Sequence, residues 1–281
     1  MTTNTGTATS ASVGALLRQW RMHRRVSQLE LSNEAAISTR HLSFVETGRS
    51  QPSRDMVLRI AEHLEVPLRD RNQLLMAAGF APRYSENDLD SPGMASARTA
   101  VREILAAHEP YPALAVDRMW NVLETNAAVG VLTQVVSPDL LAERPLNALR
   151  MTLHPEGMAP HIANLSQWRA FVLGGLRRSA LAFADTEMLS LHDELAAYPH
   201  HGSDDRQPTD TDANPVYVPL LVQVGDARLS FLAMMATFGT ALDVTLSELV
   251  IETFLPADAA TAAYLARHGE SARAPTSRAG T

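Results

Sequence analysis

The sequence predicts two domains in series: an N-terminal all-α helix-turn-helix domain of five helices (residues 12–80), then an α+β domain built on an antiparallel sheet (residues 98–266). Three observations carry this reading. At 281 residues and 46% apolar side chains, the chain is long for one ordinary domain and apolar enough for two cores. Up to Gly79 the apolar residues recur at helical spacing between Ser starts and Gly stops, whereas short strand-like runs appear beyond Ala97. The charge divides in the same place. Residues 13–83 hold eleven Arg against seven Asp and Glu, a local +4, so the formal −7 of the whole chain leaves −11 elsewhere. Such asymmetry marks a segment that meets a polyanion.

In the first domain, Leu16, Leu17 and Trp20 share one face of the first helix. Ser27 opens the second with Glu30 three residues on, a capping-box pattern, and Leu31 and Ala35 face inward. Ser38 caps the third, whose inner residues are Leu42 and Val45, and Gly48 stands where a left-handed cap is needed. Ser53 caps the fourth, with Val57, Leu58, Ala61 and Leu64 at packing intervals. The fifth runs from about Leu68 to Ala78 and stops at Gly79. APRYSENDLDSPGMAS has the Pro, Ser and acidic content of a linker.

Beyond it, a helix from Ala97 to Ala107 leads to two strand-like runs, PALAVD and WNVLET. Helical segments occupy roughly residues 126–197, and HHGSDDRQPTDTDANP has the composition of a surface loop. VYVPLLVQVGDARLSFLAMMATFG predicts a hairpin turning at Gly225-Asp226, a pair suited to a type II′ turn. LSELVIETF is expected as a further strand, although its periodicity also fits a helix. Strands, then helices, then a hairpin and a last strand predict one sheet with helices on one side. Residues 1–11 and the tail after about Arg267 are small and polar, and are expected to be disordered.

Several function classes fall away. Cys is absent, which removes disulfides, a thiolate nucleophile and Cys-ligated zinc. Of the ten His, His154 and His161 are separated by Pro155 and Pro160, and His192 has no second His one turn on. H-E-x-x-H, G-x-S-x-G, P-loop and Rossmann glycine patterns are missing. No catalytic or metal-binding residue is therefore predicted, nor an enzyme. No apolar stretch approaches the roughly 18 residues of a membrane span, and no secretory pattern opens the chain. A cytoplasmic protein without a membrane partner is expected.

A helix-turn-helix needs two short helices joined by a tight turn, the second with one face free for the major groove. SQLELSNEA and STRHLSFVETG meet around Ala36 and Ile37 in this way. With Leu31, Ala35, Ile37, Leu42 and Val45 packed inside, Ser38, Thr39, Arg40, His41, Ser43 and Phe44 remain outside. That set combines donors for base edges with an aromatic ring able to touch a thymine methyl. Gln28 opens the second helix where a phosphate is commonly clamped, and Arg49 and Arg54 flank the next helix start. The expected partner is a double-stranded DNA operator. One such helix reads few bases, so a homodimer on a near-palindrome is expected.

Through SQLELSNEAAISTRHLSFVETGRSQPS, residues 13–79 resemble the Xre/Cro-type helix-turn-helix family. The remainder is similar to the MmyB-like transcription regulators of actinobacteria, through EPYPALAVDRMWNVLETN, LHPEG, ATFGTALDVTLSEL and FLPAD. Together the two resemblances span nearly the whole chain. They imply a PAS-like second domain that senses a small molecule, with a fatty acid or other apolar ligand as the effector and no other cofactor. Trp120, Trp168, Phe171, Phe231, Met235 and Phe238 are the apolar candidates for that site. Asn126, His154 and Arg177 are the polar ones, with His154 or Arg177 meeting a carboxylate. Two other readings stay open: an antitoxin-type DNA binder whose C-terminal half holds a protein partner, and an enzyme merely targeted to DNA.

Overall fold

The computed structural model describes residues 12–183, 185–199 and 217–273. The segment 1–11 and the loop HHGSDDRQPTDTDANP lie outside the described residues. Two compact units emerge. The first draws on residues up to Asn87 together with Thr240–Ser247, and the second on Asp88–Gly239 and residues from Glu248 onward.

Unit 1 holds the five expected helices: α1 (Val13–His23), α2 (Gln28–Glu34), α3 (Thr39–Glu46), α4 (Arg54–His63) and α5 (Leu68–Ala77). Four begin on a serine whose hydroxyl accepts a backbone N–H of the first turn: Ser12, Ser27, Ser38 and Ser53. At Ser27 the Glu30 side chain completes the capping box. All five end alike. A residue with positive φ follows each helix: Arg25 (58°), Ala36 (50°), Gly48 (73°), Glu65 (48°) and Gly79 (83°). The next amide then reaches back, as from Val26 to the Arg21 carbonyl (3.1 Å) and from Ile37 to the Ser32 carbonyl (2.9 Å). This is the Schellman closure, and here only two of its left-handed positions are glycine. Leu17, Leu31, Leu42, Ile60 and Leu75 are fully buried at the centre. Gly14 lets α1 approach α3, since a Cβ there would lie 2.1 Å from the Val45 carbonyl oxygen.

The expected linker is not free at its start. Buried Asn72 on α5 accepts the amides of Arg83 (2.9 Å) and Tyr84 (3.1 Å) and donates to the Tyr84 carbonyl (2.8 Å). Ser85 in turn accepts the Val244 amide (2.8 Å), and Asn87 donates to Asp243 (2.8 Å). Residues 81–87 are thus part of a packed unit.

Unit 2 opens with α6 (Ala95–Ala107) and the strands β1 (Ala113–Val116) and β2 (Val122–Thr125). The helices α7 (Gly130–Thr133), α8 (Pro138–Ala142), α9 (Ala148–Leu153), α10 (Leu165–Phe183) and α11 (Thr186–Ala197) follow. The unit closes with β3 (Leu220–Val224), β4 (Ala227–Thr237), β5 (Val250–Pro256) and α13 (Ala259–Arg273), and between β4 and β5 the chain forms α12 (Val244–Glu248), which belongs to unit 1 up to Ser247. The five strands form one antiparallel sheet in the order β2-β1-β5-β4-β3. Between β3 and β4, Gly225 carries φ 55° and Asp226 does not, the pattern of a type II′ turn.

Side chains alternate across a sheet, and directly opposed residues share a face. One face presents Leu114, Val116, Leu220, Val222, Phe231 and Phe254 to a core shared with Leu132 on α7 and Trp168 on α10. Helices were expected on one side only, and the structure corrects this. Ala113, Ala115 and Ile251, on the opposite face, are also buried. There α6 lies against the sheet, with Arg102 paired to Glu124, the β2 partner of Ala115. The continuous apolar run in β1 has the burial of a strand covered twice. Two further expectations shift. LSELVIETF divides into α12 and β5, so its ambiguous periodicity reflected both structures. The last helix runs past Arg267 to Arg273.

Candidate nucleic-acid interface and ligand face

The outer surface of α3 carries exposed Arg40 and His41, with Phe44 half-buried beside them. The Arg40 guanidinium sits 5.3 Å from the Phe44 ring centroid, which holds it over that face by cation–π attraction. Ser38 accepts the His41 amide (3.1 Å) as the helix cap and keeps its own O–H to give. Thr39 differs from expectation. Ser32 Oγ donates to the Leu29 carbonyl (2.8 Å), so the 2.8 Å contact between Ser32 and Thr39 consumes the Thr39 proton. Thr39 can offer DNA an acceptor and a methyl group, not the expected donor. Arg49 and Arg54, on either side of the α4 start, are exposed and pair with no carboxylate among the described residues.

Gln28 has a partner within the domain. Its amide donates to Glu46 Oε2 (2.7 Å), and Arg21 grips the same carboxylate with Nε (2.7 Å) and Nη2 (2.9 Å). The Glu46 side chain is only 1% exposed. The hydrogen bond from Arg21 to Glu46 raises the guanidinium pKa further, against the cost of burial. The side chain of Gln28 therefore ties α2 to the end of α3, and its second amide hydrogen and its backbone N–H at the start of α2 remain for the expected phosphate contact.

In unit 2 the apolar candidates divide. Phe231 is fully buried and Trp168 nearly so, both inside the sheet core. The Trp168 indole N–H finds no acceptor among the described residues. Trp120, at φ 65° between β1 and β2, is partly buried against the same core. Phe171 stacks obliquely on Trp168 at 5.4 Å yet stays 44% exposed. Met235 is 61% exposed, and Phe238 lies just past the end of β4, partly buried.

The polar candidates do not converge. Asn126 is spent on the backbone, accepting the Ala113 amide (3.0 Å) and donating to Leu105 (3.1 Å) and Tyr111 (2.8 Å). It joins α6 to β1 at the wall of a cleft of about 310 Å³ that also includes Arg102, Glu109 and Glu124. The His154 Nδ1 accepts the Glu156 amide (3.1 Å), and its ring meets Tyr198 edge-on at 5.1 Å. Tyr198 donates to Glu194, which Arg150 grips through two bonds (2.7 and 2.8 Å). Burial first, then that hydrogen bond, pushes the Tyr198 phenol up to about 12. Arg177 is exposed, off the buried stripe of Trp168, Leu176 and Ala180 on α10. Neither cation is placed to meet a carboxylate on the apolar face.

The ionisable group that does lie on that face is Glu252. It stands in the middle of β5 between Val250 and Phe254, opposite Leu114 on β1 and Met235 on β4. Desolvation pushes its carboxyl from 4.5 up to about 7.

Residues 97–267 match the family model of the MmyB-like transcription regulator ligand binding domain, and residues 12–74 that of a helix-turn-helix domain. The first match alone spans more than half of the chain. The chain belongs to the MmyB-like transcription regulators. It shares 24% identity with the clp gene regulator ClgR from Corynebacterium glutamicum in a crystal structure, over 35% of this chain and 90% of that one, with a TM-score of 0.21. No curated protein matches. As an MmyB-like regulator, the protein is a DNA-binding transcription factor with a ligand-binding domain. No helix among the described residues is long and apolar enough to cross a membrane.

Sequence reasoning passed over Glu46 and Glu252 of this MmyB-like regulator. Glu46 carried a signal, an acidic residue three positions after Ser43 on an otherwise basic helix. Glu252 did too, as the one charged residue inside VIETFLP.

Proposed function

We propose that this MmyB-like regulator binds a near-palindromic operator as a homodimer through α3, and that an apolar ligand on the core face of the C-terminal sheet modulates that affinity. The observation that carries the proposal is the α3 surface: Arg40 and His41 exposed, with Arg49 and Arg54, unpaired among the described residues, beyond its end. An Arg held over an aromatic ring is ready for bidentate contact with guanine, while Arg49 and Arg54 suit phosphates. Supporting the ligand arm, Met235 and Phe171 leave large apolar surface accessible in the family's ligand-binding domain. Each buried methylene of a ligand there contributes roughly 0.8 kcal/mol. A ligand changes DNA affinity only by binding two states of the protein unequally.

The test is selection of operators from random duplexes with wild type and with Arg40→Ala. The variant should lose about 1–3 kcal/mol on the selected operator and relax one base position per half-site. Identical sequence preferences would remove α3 as the reading element. Titrating alkyl ligands of increasing length against free and operator-bound protein tests the effector. Equal affinity for both would leave a ligand that regulates nothing.

A further inference from the structure

Strand β3 accompanies only the first part of β4. The β3–β4 ladder stops at Leu220 opposite Phe231, whereas β5 follows β4 as far as Thr237. The stop has a local cause, since Pro219 has no N–H to give and its carbonyl is taken by Asn164 Nδ2 (2.8 Å). Beyond Phe231, one edge of β4 is open. Backbone groups of an antiparallel strand alternate between its two edges. Ser230 turns to the β5 side, where its carbonyl accepts the Ala257 amide (2.8 Å), so Leu232, Met234 and Ala236 turn the same way. Ala233, Met235 and Thr237 therefore aim their N–H and C=O groups at the open edge, and none of these finds a partner among the described residues.

Open edges are ordinarily guarded by Lys, by Pro or by a bulge. This edge has none of them. From Leu229 to Leu242 the sequence holds no charged residue and no Pro, and the β4–β5 register runs without a shift. Met234 and Met235 are 57% and 61% exposed, and Ala236 and Thr237 are exposed as well.

We propose that this edge is the dimer interface, paired antiparallel with the same edge of a second copy. This rests on the homodimer reading above and names the surface that makes the dimer. A strand edge laid antiparallel on itself is complementary by symmetry. With the twofold axis at Met235, Ala233 faces the partner's Thr237, Met235 faces its own counterpart, and each pair exchanges two backbone hydrogen bonds. Met234 then stands opposite the partner's Ala236 on the other face of the sheet. A twofold pair also matches the symmetry of a near-palindromic operator. Within the chain, residues 200–215 precede β3 and lie outside the described residues, but they bring four Asp, two Pro and no apolar side chain larger than Ala. That composition suits neither a strand nor a cover for two methionines. A second copy supplies both. Edge pairing lengthens the sheet without covering its core face, so it is compatible with a ligand there. Five residues a side make a small interface, so the association should depend on concentration.

The experiment is sedimentation of the full chain over a wide range of concentration, free and on operator DNA. Met234→Lys with Ala236→Lys sets Lys against Lys across the axis, and Met234→Glu with Ala236→Glu sets Glu against Glu. Each double variant should weaken the dimer at least about tenfold. Mixing the two should restore it, because every like pair becomes an opposite one. Double variants that dimerise as wild type does place the interface elsewhere and overturn the inference, with the homodimer reading intact. A mixture that stays dissociated overturns it too. Wild type that is monomeric throughout, on DNA included, removes the homodimer reading and this inference with it. Residue-resolved hydrogen exchange of wild type needs no variant, so a folding defect in the double variants does not block the test. The amides of Ala233, Met235 and Thr237 should gain protection as the dimer forms, while those of Leu232, Met234 and Ala236 are held by β5 throughout. Protection of the first three that does not follow the monomer–dimer balance seen by sedimentation overturns the pairing.

Discussion

Replacing Glu46 with Ala should cost unit 1 about 3 kcal/mol, because three donors converge on a carboxylate with almost no contact with water. Truncation leaves the Arg21 guanidinium with the Val26 carbonyl as its remaining partner, at 3.0 Å. Breaking a buried pair costs roughly 3–5 kcal/mol when the surviving charge is fully enclosed. The Arg21 side chain is 13% exposed, so water reaches part of it and the lower end applies. Removing both charges is a different perturbation. Arg21→Met with Glu46→Leu leaves no orphan ion and should fall within about 1 kcal/mol of wild type. Hydrogen exchange of the α1–α3 amides in the full chain reads this directly, since it reports the opening of those helices amide by amide. A Glu46→Ala cost below about 1 kcal/mol would show the network to be incidental, and the account of Gln28 as an α2–α3 lock would fall with it.

Removing Arg49 should weaken binding to all duplexes alike and flatten the plot of log affinity against log salt by roughly 0.9; an unchanged slope places Arg49 off the DNA. Ala36→Gly, at φ 50°, should raise the urea midpoint by about 0.5 kcal/mol equivalent, because left-handed strain is relieved and only partly offset by unfolded-chain entropy. Gly48→Ala, at φ 73° with open space around it, should lose about 1 kcal/mol from the backbone alone. Glu252 holds its proton more tightly folded than unfolded, so its contribution to stability is full below pH 4.5 and is lost as pH rises to about 7. Glu252 keeps some contact with water, so the loss is at most about 3 kcal/mol, and Glu252→Gln should remove that part of the difference between urea titrations at pH 4.5 and pH 8.

The helices of unit 1 were legible because their boundaries are written locally. Ser27, Ser38 and Ser53 each precede a run whose apolar spacing is helical, and a cap needs only the next three residues. Helix ends carry a glycine signal only at Gly48 and Gly79, and the turn at Ala36 was legible only from the spacing of the two helices around it. At Arg25, Ala36 and Glu65 the same left-handed turn is imposed by the hydrophobic residue that follows each, Val26, Ile37 and Val66, packing on the core. Tertiary packing there overrides an unfavourable residue, and no residue type announces it. The Thr39 proton is a similar case, since its fate depends on Ser32 seven residues away.

What stayed hidden in the rest of the chain is hidden for one reason: the deciding partner is distant in sequence. Asn72 turns the start of an apparent linker into packed structure, and Val244 and Asp243 reach it from more than a hundred and fifty residues further on. The same logic governs the core face of the sheet. Arg177 and His154 were reasonable partners for a carboxylate by residue type, but type does not say which side of α10 faces the sheet or that His154 is already engaged with Glu156 and Tyr198. Glu252 became visible only once register set it opposite Leu114 and Met235, because a strand has two faces and a shift of one residue would have turned it away from the core. An acid at such a position, its carboxyl raised above the ordinary range by burial, gives up stability as the pH rises that a Gln would keep.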